Sequence, residues 1–205
     1  MKSALLFMIC MICLIGTDPL SAQQRVQKNS GAGNERNSPS GNSVYQLNSR
    51  WTDQYEHAST LQRFQGKPLI LAMIYTSCKD ACPMIVVDMQ TIEKSLPEKV
   101  REQVQFALIS FNPEQDTPEQ LRRFQSAHGL NAQHWTLLTG SEDSVRMLAA
   151  VLGIHYQKLP SGEFAHSSVV TVLDSQGTIQ HQQAGLKQDP GEVVSVISSL
   201  LSLTK

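Results

Sequence analysis

The sequence predicts an α/β fold: a mixed central sheet flanked by helices, ending in a C-terminal β-hairpin plus helix. Two long apolar runs, 68–76 and 104–111, have the pattern of strands buried on both faces. Helical segments alternate with these strands, and a turn signal at 174–177 separates two further strands before the last helix. This alternation indicates a sheet covered by helices on both faces.

The first 42 residues are predicted to precede the folded domain. Residues 1–22 have the pattern of a secretory signal, with Lys2, a short apolar stretch and a Leu20-Ser21-Ala22 cleavage site. The apolar stretch of about 13 residues is shorter than the roughly 20 that span a bilayer, which favours a cleavable signal over a membrane anchor. Residues 23–42 are polar and predict a flexible linker. One domain is expected over 43–205. The formal net charge of the whole chain, −1, argues against nucleic-acid binding.

The first half of the domain is predicted to contain a short strand at 43–47, a short helix at 57–64, the buried strand at 68–76 and a helix at 83–95. The helix at 83–95 carries apolar residues at helical spacing, and Pro97 ends it.

The second half is predicted to contain strands at 104–111, 135–138, 169–173 and 178–183 and helices at 117–128, 141–152 and 189–203. Pro118 suits the first position of its helix, Asp116 or Thr117 is the predicted N-cap, and Gly129 closes it. The order is that of a thioredoxin-like fold, with a cysteine pair at the end of the first long strand.

That pair, Cys78 and Cys82, is what remains of four cysteines once the signal is removed. Cysteines this close enclose almost no loop, so a disulfide between them would constrain the unfolded chain very little, and a functional role is favoured. Pro83 is tolerated in the first turn of a helix and disfavours a helical backbone at Cys82, which is therefore expected at or near the N-cap. Free N–H groups and the helix dipole stabilise a thiolate there, the form that both binds metal and attacks disulfides.

The spacing of the pair favours a metal without excluding a disulfide. Residues at (i, i+4) on a helix have Cβ atoms about 5–6 Å apart, whereas a disulfide requires about 3.5–4.5 Å. Two sulfurs on one metal ion tolerate the wider separation. Two thiolates suit Cu(I), and imidazole accepts either copper state, so the third ligand is expected to be a histidine.

Of six histidines, His166 is the predicted third ligand. It immediately precedes the buried strand at 169–173, where a thioredoxin-like fold brings a loop over the cysteine pair. Thioredoxins carry a cis-proline in that loop, and this chain has no proline between Pro160 and Pro190. The alternative is a solvated loop histidine. His128 is interpreted as a helix cap, and His57, His134 and His181 as solvated.

Four motifs in order resemble the Sco (SenC) family of copper-binding assembly factors for cytochrome c oxidase. Residues 75–83, YTSCKDACP, are similar to the family's aromatic-Thr-x-Cys-x-Asp-x-Cys-Pro, and 109–118, ISFNPEQDTP, to its second signature. Leu138-Thr139-Gly140 and His166-Ser167, followed by Val172-Leu173-Asp174 and Gly177, complete the set.

The resemblance implies a thioredoxin-like fold and a copper site, for Cu(I) or Cu(II), made by Cys78, Cys82 and His166. It implies Asp80 and Asp116 as residues that hydrogen-bond around the site or recognise a partner. The partner would be a copper-receiving oxidase subunit or another copper chaperone, met in the periplasm, with the protein at most peripheral to the membrane. The implied role is delivery of copper to the oxidase, or reduction of the cysteines that receive it. The alternative function is a thiol–disulfide reductase in which Cys78 and Cys82 form a redox-active pair with no obligatory metal.

Overall fold

The computed structural model describes residues 42–202, so the predicted signal peptide and all but the last residue of the predicted linker lie outside it. The strands are β1 Trp51–Asp53, β2 Ala58–Ser59, β3 Leu69–Ile74, β4 Gln105–Ser110, β5 Trp135–Gly140, β6 Tyr156–Lys158, β7 Phe164–His166, β8 Val169–Leu173 and β9 Ile179–Ala184. The helices are α1 Ala81–Ser95, α2 Glu98–Arg101, α3 Pro118–Ala127, α4 Glu142–Val151 and α5 Gly191–Ser202. None of the helices within 42–202 is long and apolar enough to cross a membrane.

Seven strands form one mixed sheet in the order β2-β1-β5-β4-β3-β8-β9. The central strands β3, β4 and β5 run parallel, while β8 pairs with β3 in the antiparallel sense. Every residue of β3 is buried, as its continuous apolar sequence requires for a strand covered on both faces. Because Ile74 pairs with Ser110, the loops that leave β3 and β4 begin side by side at one edge of the sheet.

The two remaining strands, β6 and β7, form a separate antiparallel hairpin that the sequence did not predict. Each has three residues, and most of their positions are exposed or half-buried. Strands this short show no measurable alternation of apolar and polar residues, which is the signal on which strand prediction depends.

The long predicted elements are confirmed. Apart from the unpredicted β6–β7 hairpin and the short helix α2, the errors fall in the N-terminal segment. The predicted strand at 43–47 is a 3-10 helix, Val44–Gln46, because the Ser43 hydroxyl accepts the backbone N–H of Tyr45 and caps a turn. The predicted helix at 57–64 divides into β2 and a 3-10 helix, Leu61–Phe64. The short strand β1, which pairs with β5, was not predicted.

Candidate metal centre

Cys78 and Cys82 lie at the carboxyl end of β3, on the loop that enters α1. The helix begins at Ala81 with Asp80 as its N-cap, so Cys82 is the second helical residue. Cys82 is thus near the N-cap, as predicted, although it lies inside the first turn of the helix. Pro83 takes the third helical position, where a backbone N–H would have no partner within the helix, and the steric preference before proline is overridden.

The two sulfurs have different surroundings. Both thiols are free, Cys78 half-buried and Cys82 fully buried. Burial alone would raise the pKa of Cys78, but backbone N–H groups of Cys82 and Asp80 donate to its sulfur and bring the pKa below its ordinary value. The Cys82 N–H lies 3.3 Å from that sulfur, measured from nitrogen. Burial raises the pKa of Cys82 well above its ordinary value. Cys78 is the readier thiolate of the pair.

The hairpin of β6 and β7 brings His166 to the cysteines. His166 Nε2 lies 3.6 Å from the Cys82 sulfur, and the ligand atoms of Cys78, Cys82 and His166 all lie within 4.8 Å of one another. His166 Nδ1 lies 3.2 Å from the carbonyl oxygen of Ser167. Since a carbonyl only accepts, Nδ1 carries the proton in this hydrogen bond, and the lone pair of Nε2 faces the sulfurs.

Aromatic side chains fix the orientation of the His166 ring. The Tyr75 ring meets it edge-on at 6.1 Å between centroids, and the Phe111 ring lies 5.0 Å away. Phe164, two residues before His166, packs against both Tyr75 and Phe111. The packing of Tyr75, Phe111 and Phe164 around the ring was not predicted. Tyr75 and Phe111 lie at the ends of predicted strands, and Phe164 lies near the predicted ligand, which are positions where a neighbour of the site is expected.

Asp116 is hydrogen-bonded to Thr76, at the start of the loop that carries the cysteines (the cysteine loop, residues 75–80). Its side chain is fully buried and accepts the backbone N–H and the hydroxyl of Thr76, and the Ser110 hydroxyl at 2.6 Å. Burial outweighs these hydrogen bonds and raises the pKa of the carboxyl. Asp80, by contrast, is exposed, and its side chain makes no capping hydrogen bond.

None of the other histidines joins this group, although His155 borders the hairpin that carries His166. His57 is exposed, as predicted, but His134 and His181 are largely buried and lie beside Glu93 and Glu192, so the prediction that they are solvated is wrong. His128 is the C-cap of α3, as predicted. Within residues 42–202, Cys78, Cys82 and His166 are the only group of three potential ligands whose donor atoms converge in this way.

The donor atoms fit a soft metal ion in size as well as in kind. With metal–sulfur bonds of about 2.3 Å and metal–nitrogen bonds of about 2.0 Å, a sulfur and a nitrogen on one ion lie about 3.5–3.8 Å apart. The 3.6 Å between Cys82 and His166 falls in this range. Two thiolates and an imidazole form a donor set that suits copper or zinc and offers nothing to Mg²⁺ or Ca²⁺.

Comparisons with known proteins agree with this geometry. A Stutzerimonas stutzeri protein named for copper binding is 29% identical over 142 residues, which are 67% of this chain and 68% of that protein. ScoI of Bradyrhizobium japonicum, solved with copper bound, superposes with a TM-score of 0.64 at 23% identity, over 74% of this chain and 96% of its own. BsSco is a member of the Sco family of cytochrome c oxidase assembly proteins, and a disulfide switch was identified in it. It superposes with a TM-score of 0.64 at 24% identity, over 75% of this chain and 91% of its own. These likenesses confirm the thioredoxin-like fold. The family model of SCO1/SenC matches residues 38–202, and the chain therefore belongs to the SCO1/SenC family.

Proposed function

We propose that this protein binds one copper ion through Cys78, Cys82 and His166 and transfers it to a partner during assembly of a cytochrome c oxidase. The observation that carries the proposal is the convergence of two sulfurs and one imidazole nitrogen within 4.8 Å. Relatives support it: one is named for copper binding, one was solved with copper bound, and one is described as an oxidase assembly protein.

Loading follows from the unequal cysteines. Cys78, half-buried and with a lowered pKa, meets incoming copper first. Cys82 has a raised pKa and must lose a proton to become a thiolate ligand, so copper binding releases at least one proton. His166 contributes the lone pair of Nε2, the ring nitrogen that faces the sulfurs.

Release is the reverse exchange with an acceptor that presents its own cysteines. An acceptor thiolate would reach the copper from the side of half-buried Cys78 and replace that ligand first, and a second acceptor thiolate would then replace buried Cys82. The bond to the His166 nitrogen breaks as the ion leaves with the two acceptor thiolates. Each exchange breaks one copper–sulfur bond and forms another, so no oxidant or reductant is consumed. The acceptor is a copper-receiving oxidase subunit or another copper chaperone with thiolate ligands.

Copper titration of the purified, reduced chain tests the site. We expect one Cu(I) per chain, loss of binding in Cys78→Ala and Cys82→Ala, and affinity weakened about 10- to 100-fold in His166→Ala. His155→Ala is the matched control, because His155 is exposed, borders the same hairpin and lies outside the converging group. Unchanged stoichiometry in either cysteine variant would refute the proposal.

A thiol–disulfide reductase is the second candidate, and the asymmetry of the pair favours it. Cys78 has the exposure and lowered pKa of an attacking thiol, and Cys82 lies next to it as a resolving thiol. Attack by the Cys78 thiolate on a substrate disulfide would form a mixed disulfide and release one substrate thiolate. Attack by Cys82 would then release the second and leave the Cys78–Cys82 disulfide.

Trapping separates the two functions. A reductase predicts that Cys82→Ser accumulates a mixed disulfide with the oxidised acceptor, that Cys78→Ser does not, and that His166→Ala retains full activity. A copper carrier predicts that His166→Ala impairs transfer. We also propose that the protein acts after export to the periplasm, which N-terminal sequencing of the secreted chain would test at the bond before Gln23.

A further inference from the structure

Strand β6 has one edge without a partner strand, because it pairs only with β7. The Ser167 N–H bonds to the carbonyl of His155, which makes these two a hydrogen-bonded pair of the hairpin. In an antiparallel hairpin such pairs alternate with pairs that do not bond each other. Tyr156 and Lys158 belong to the second kind, so their N–H and carbonyl groups point away from β7. No hydrogen bond within residues 42–202 uses these outward groups.

An unpaired edge of this kind accepts an extended chain as an added strand. The main-chain hydrogen bonds supply affinity, and alternate side chains of the added strand supply specificity. Gln157 and Lys158 are exposed, so the edge is open to solvent. Tyr156 stands opposite His166. Since neighbouring strands lie about 4.8 Å apart, a segment added to β6 would run about 10 Å from the backbone of the proposed copper ligand.

A cavity of about 200 Å³ lies on one side of this edge. Tyr156, Lys158 and Phe164 line it from the hairpin, and Phe111 and Val145 line it from the rest of the domain. Residues of an added strand that stand opposite Tyr156 or Lys158 would direct their side chains to the same side. The volume is below the roughly 300–1,000 Å³ of pockets that hold whole small-molecule ligands, so it suits a single side chain. Its aromatic walls favour an apolar one.

The rim of this cavity has more acidic than basic groups. Lys158 pairs with Glu114 at 2.7 Å, and Arg146 pairs with Glu142 at 3.5 Å and with Asp143. Three carboxylates and two cations leave one negative charge in excess, and all five side chains are exposed. A segment with basic residues beside its apolar one is therefore complementary in charge to this rim.

Resting on the proposed function, we propose that β6 is the docking edge for the copper-receiving partner. The partner adds an extended segment to β6 as a strand, places one apolar side chain in the cavity and carries basic residues beside it. The cavity wall reaches the metal centre, because the Phe111 ring also lies 5.0 Å from the ring of His166. The segment supplies recognition, and the partner's own copper ligands come from another part of its chain.

Peptide binding to the reduced, copper-free chain tests the edge. The probes are nine-residue peptides, Lys-Thr-Val-Thr-X-Thr-Val-Thr-Lys, in which X is Phe, Leu or Asp. We expect saturable shifts of the Tyr156 and Lys158 amide signals in the ¹⁵N-labelled protein, and binding at least tenfold tighter with Phe or Leu than with Asp. Added strands use the N–H groups of alternate residues. N-methylation of the Val-X-Val residues or of the four Thr residues should therefore weaken binding about tenfold in one case and not in the other.

Lys158→Pro and Lys158→Thr separate the backbone of the edge from its charge. Both lose the ion pair with Glu114, but only proline removes the outward N–H, and it leaves the hydrogen bonds of the hairpin intact. We expect the Pro variant to bind the Phe peptide about tenfold more weakly than the Thr variant. Urea unfolding and copper titration of both variants check that the fold and the metal centre are preserved, and the N-methylated peptides test the edge on the wild-type chain.

The proposal would be overturned if no peptide shifts the β6 amides, if both N-methylated forms bind equally well, or if the Pro and Thr variants bind with equal affinity. A wild-type dimer that Lys158→Pro converts to a monomer in analytical ultracentrifugation would assign the edge to a second copy of this chain, and would also overturn it. Peptide binding needs no metal. A chain that binds the peptides but takes up no copper would refute the proposed function, whereas one that takes up copper but binds no peptide would refute the docking edge alone.

Discussion

Replacing Asp116 tests whether its hydrogen bonds hold the cysteine loop in place. The carboxylate accepts three donors: the N–H and hydroxyl of Thr76 and the hydroxyl of Ser110. Asp116→Ala leaves all three without their acceptor, in a region where Ser110 is fully buried. At about 1 kcal/mol or more for each unsatisfied donor, the free energy of unfolding should fall by about 3 kcal/mol. With a urea slope of about 2 kcal/mol/M, the midpoint should fall by about 1.5 M.

Asp116→Asn is the matched control, because an amide can keep the same connections. Its oxygen can take the place of Oδ2, which accepts both the Thr76 N–H and the Ser110 hydroxyl. Its NH₂ then replaces Oδ1 and donates to the Thr76 hydroxyl, which rotates to accept. We expect Asn to lower the midpoint by no more than about 0.5 M and to preserve copper affinity, whereas Ala should weaken it about tenfold.

The pH dependence of the comparison has a definite sign. The pKa of Asp116 is raised by burial above its ordinary value of 3.8, so the wild-type stability from this group is greatest below that value and declines as pH rises through the folded pKa. The Asn variant has no such titration, so its free energy of unfolding should rise relative to that of the wild type between pH 3 and neutrality. The reasoning would be refuted by an Ala variant whose urea midpoint lies within 0.5 M of the wild-type midpoint, or by an Asn variant whose midpoint is as low as that of Ala.

Three further predictions concern reactivity, acid stability and a turn. Iodoacetamide, followed by peptide mass mapping, should modify Cys78 at least tenfold faster than its buried partner, with a midpoint pH below that of a free thiol, because its pKa is lowered. The pKa of Asp53 is lowered, since hydrogen bonds that include one from Arg63 outweigh burial, so Arg63→Gln should cost about 1 kcal/mol at neutral pH and less as pH falls below 3.8. Gly177→Ala places a Cβ 2.6 Å from a tyrosine ring at φ +82° and should destabilise by about 2–4 kcal/mol in urea unfolding, whereas Gly162→Ala, at φ +86° with no atom within 4 Å, should cost about 1 kcal/mol.

The sequence predicted the elements whose stability comes from their own patterns. The apolar runs that became β3 and β4 could only be buried strands, and the Thr117–Pro118 start of α3 was correctly identified, with Thr117 accepting the N–H of Gln120. The prediction for 43–47 was wrong because two kinds of contact set its conformation: the local cap by the Ser43 hydroxyl and contacts with distant residues. Ser43 bridges to Thr178, and the Val44 N–H bonds to the Gly177 carbonyl, contacts that no local pattern records.

The three converging residues of the candidate site were predicted, and the family resemblance also named Asp116, but the hairpin that carries His166 and the aromatic side chains around it were not predicted. Cysteine spacing and the position of His166 were sufficient to name the three converging groups. The hairpin that carries His166 has only three residues in each strand, too few for a periodic signal, and the ring contacts of Tyr75 with Phe164 and His166 join residues far apart in the sequence. Which side chain reaches which sulfur depends on how β3, β4 and β7 meet, and that is a property of the folded chain.

The three groups differ in burial and in the element that carries them, and this difference suits the proposed role of a carrier that must also release its ion. Cys82 is fixed in the first turn of α1 and fully buried, so it serves as the anchor. Cys78 lies on the connecting loop, half-buried, where an incoming thiolate can displace it. His166 lies on a two-stranded hairpin outside the seven-stranded sheet, and Phe164 of that hairpin packs against Tyr75 and Phe111. A small movement of that hairpin can open the site without disturbing the central strands, so exchange need not cost the stability of the fold. Loosening the hairpin, for example with Phe164→Ala, which removes its packing against Tyr75 and Phe111, should therefore speed copper release more than it changes copper affinity, and an equal effect on both would count against this division of roles.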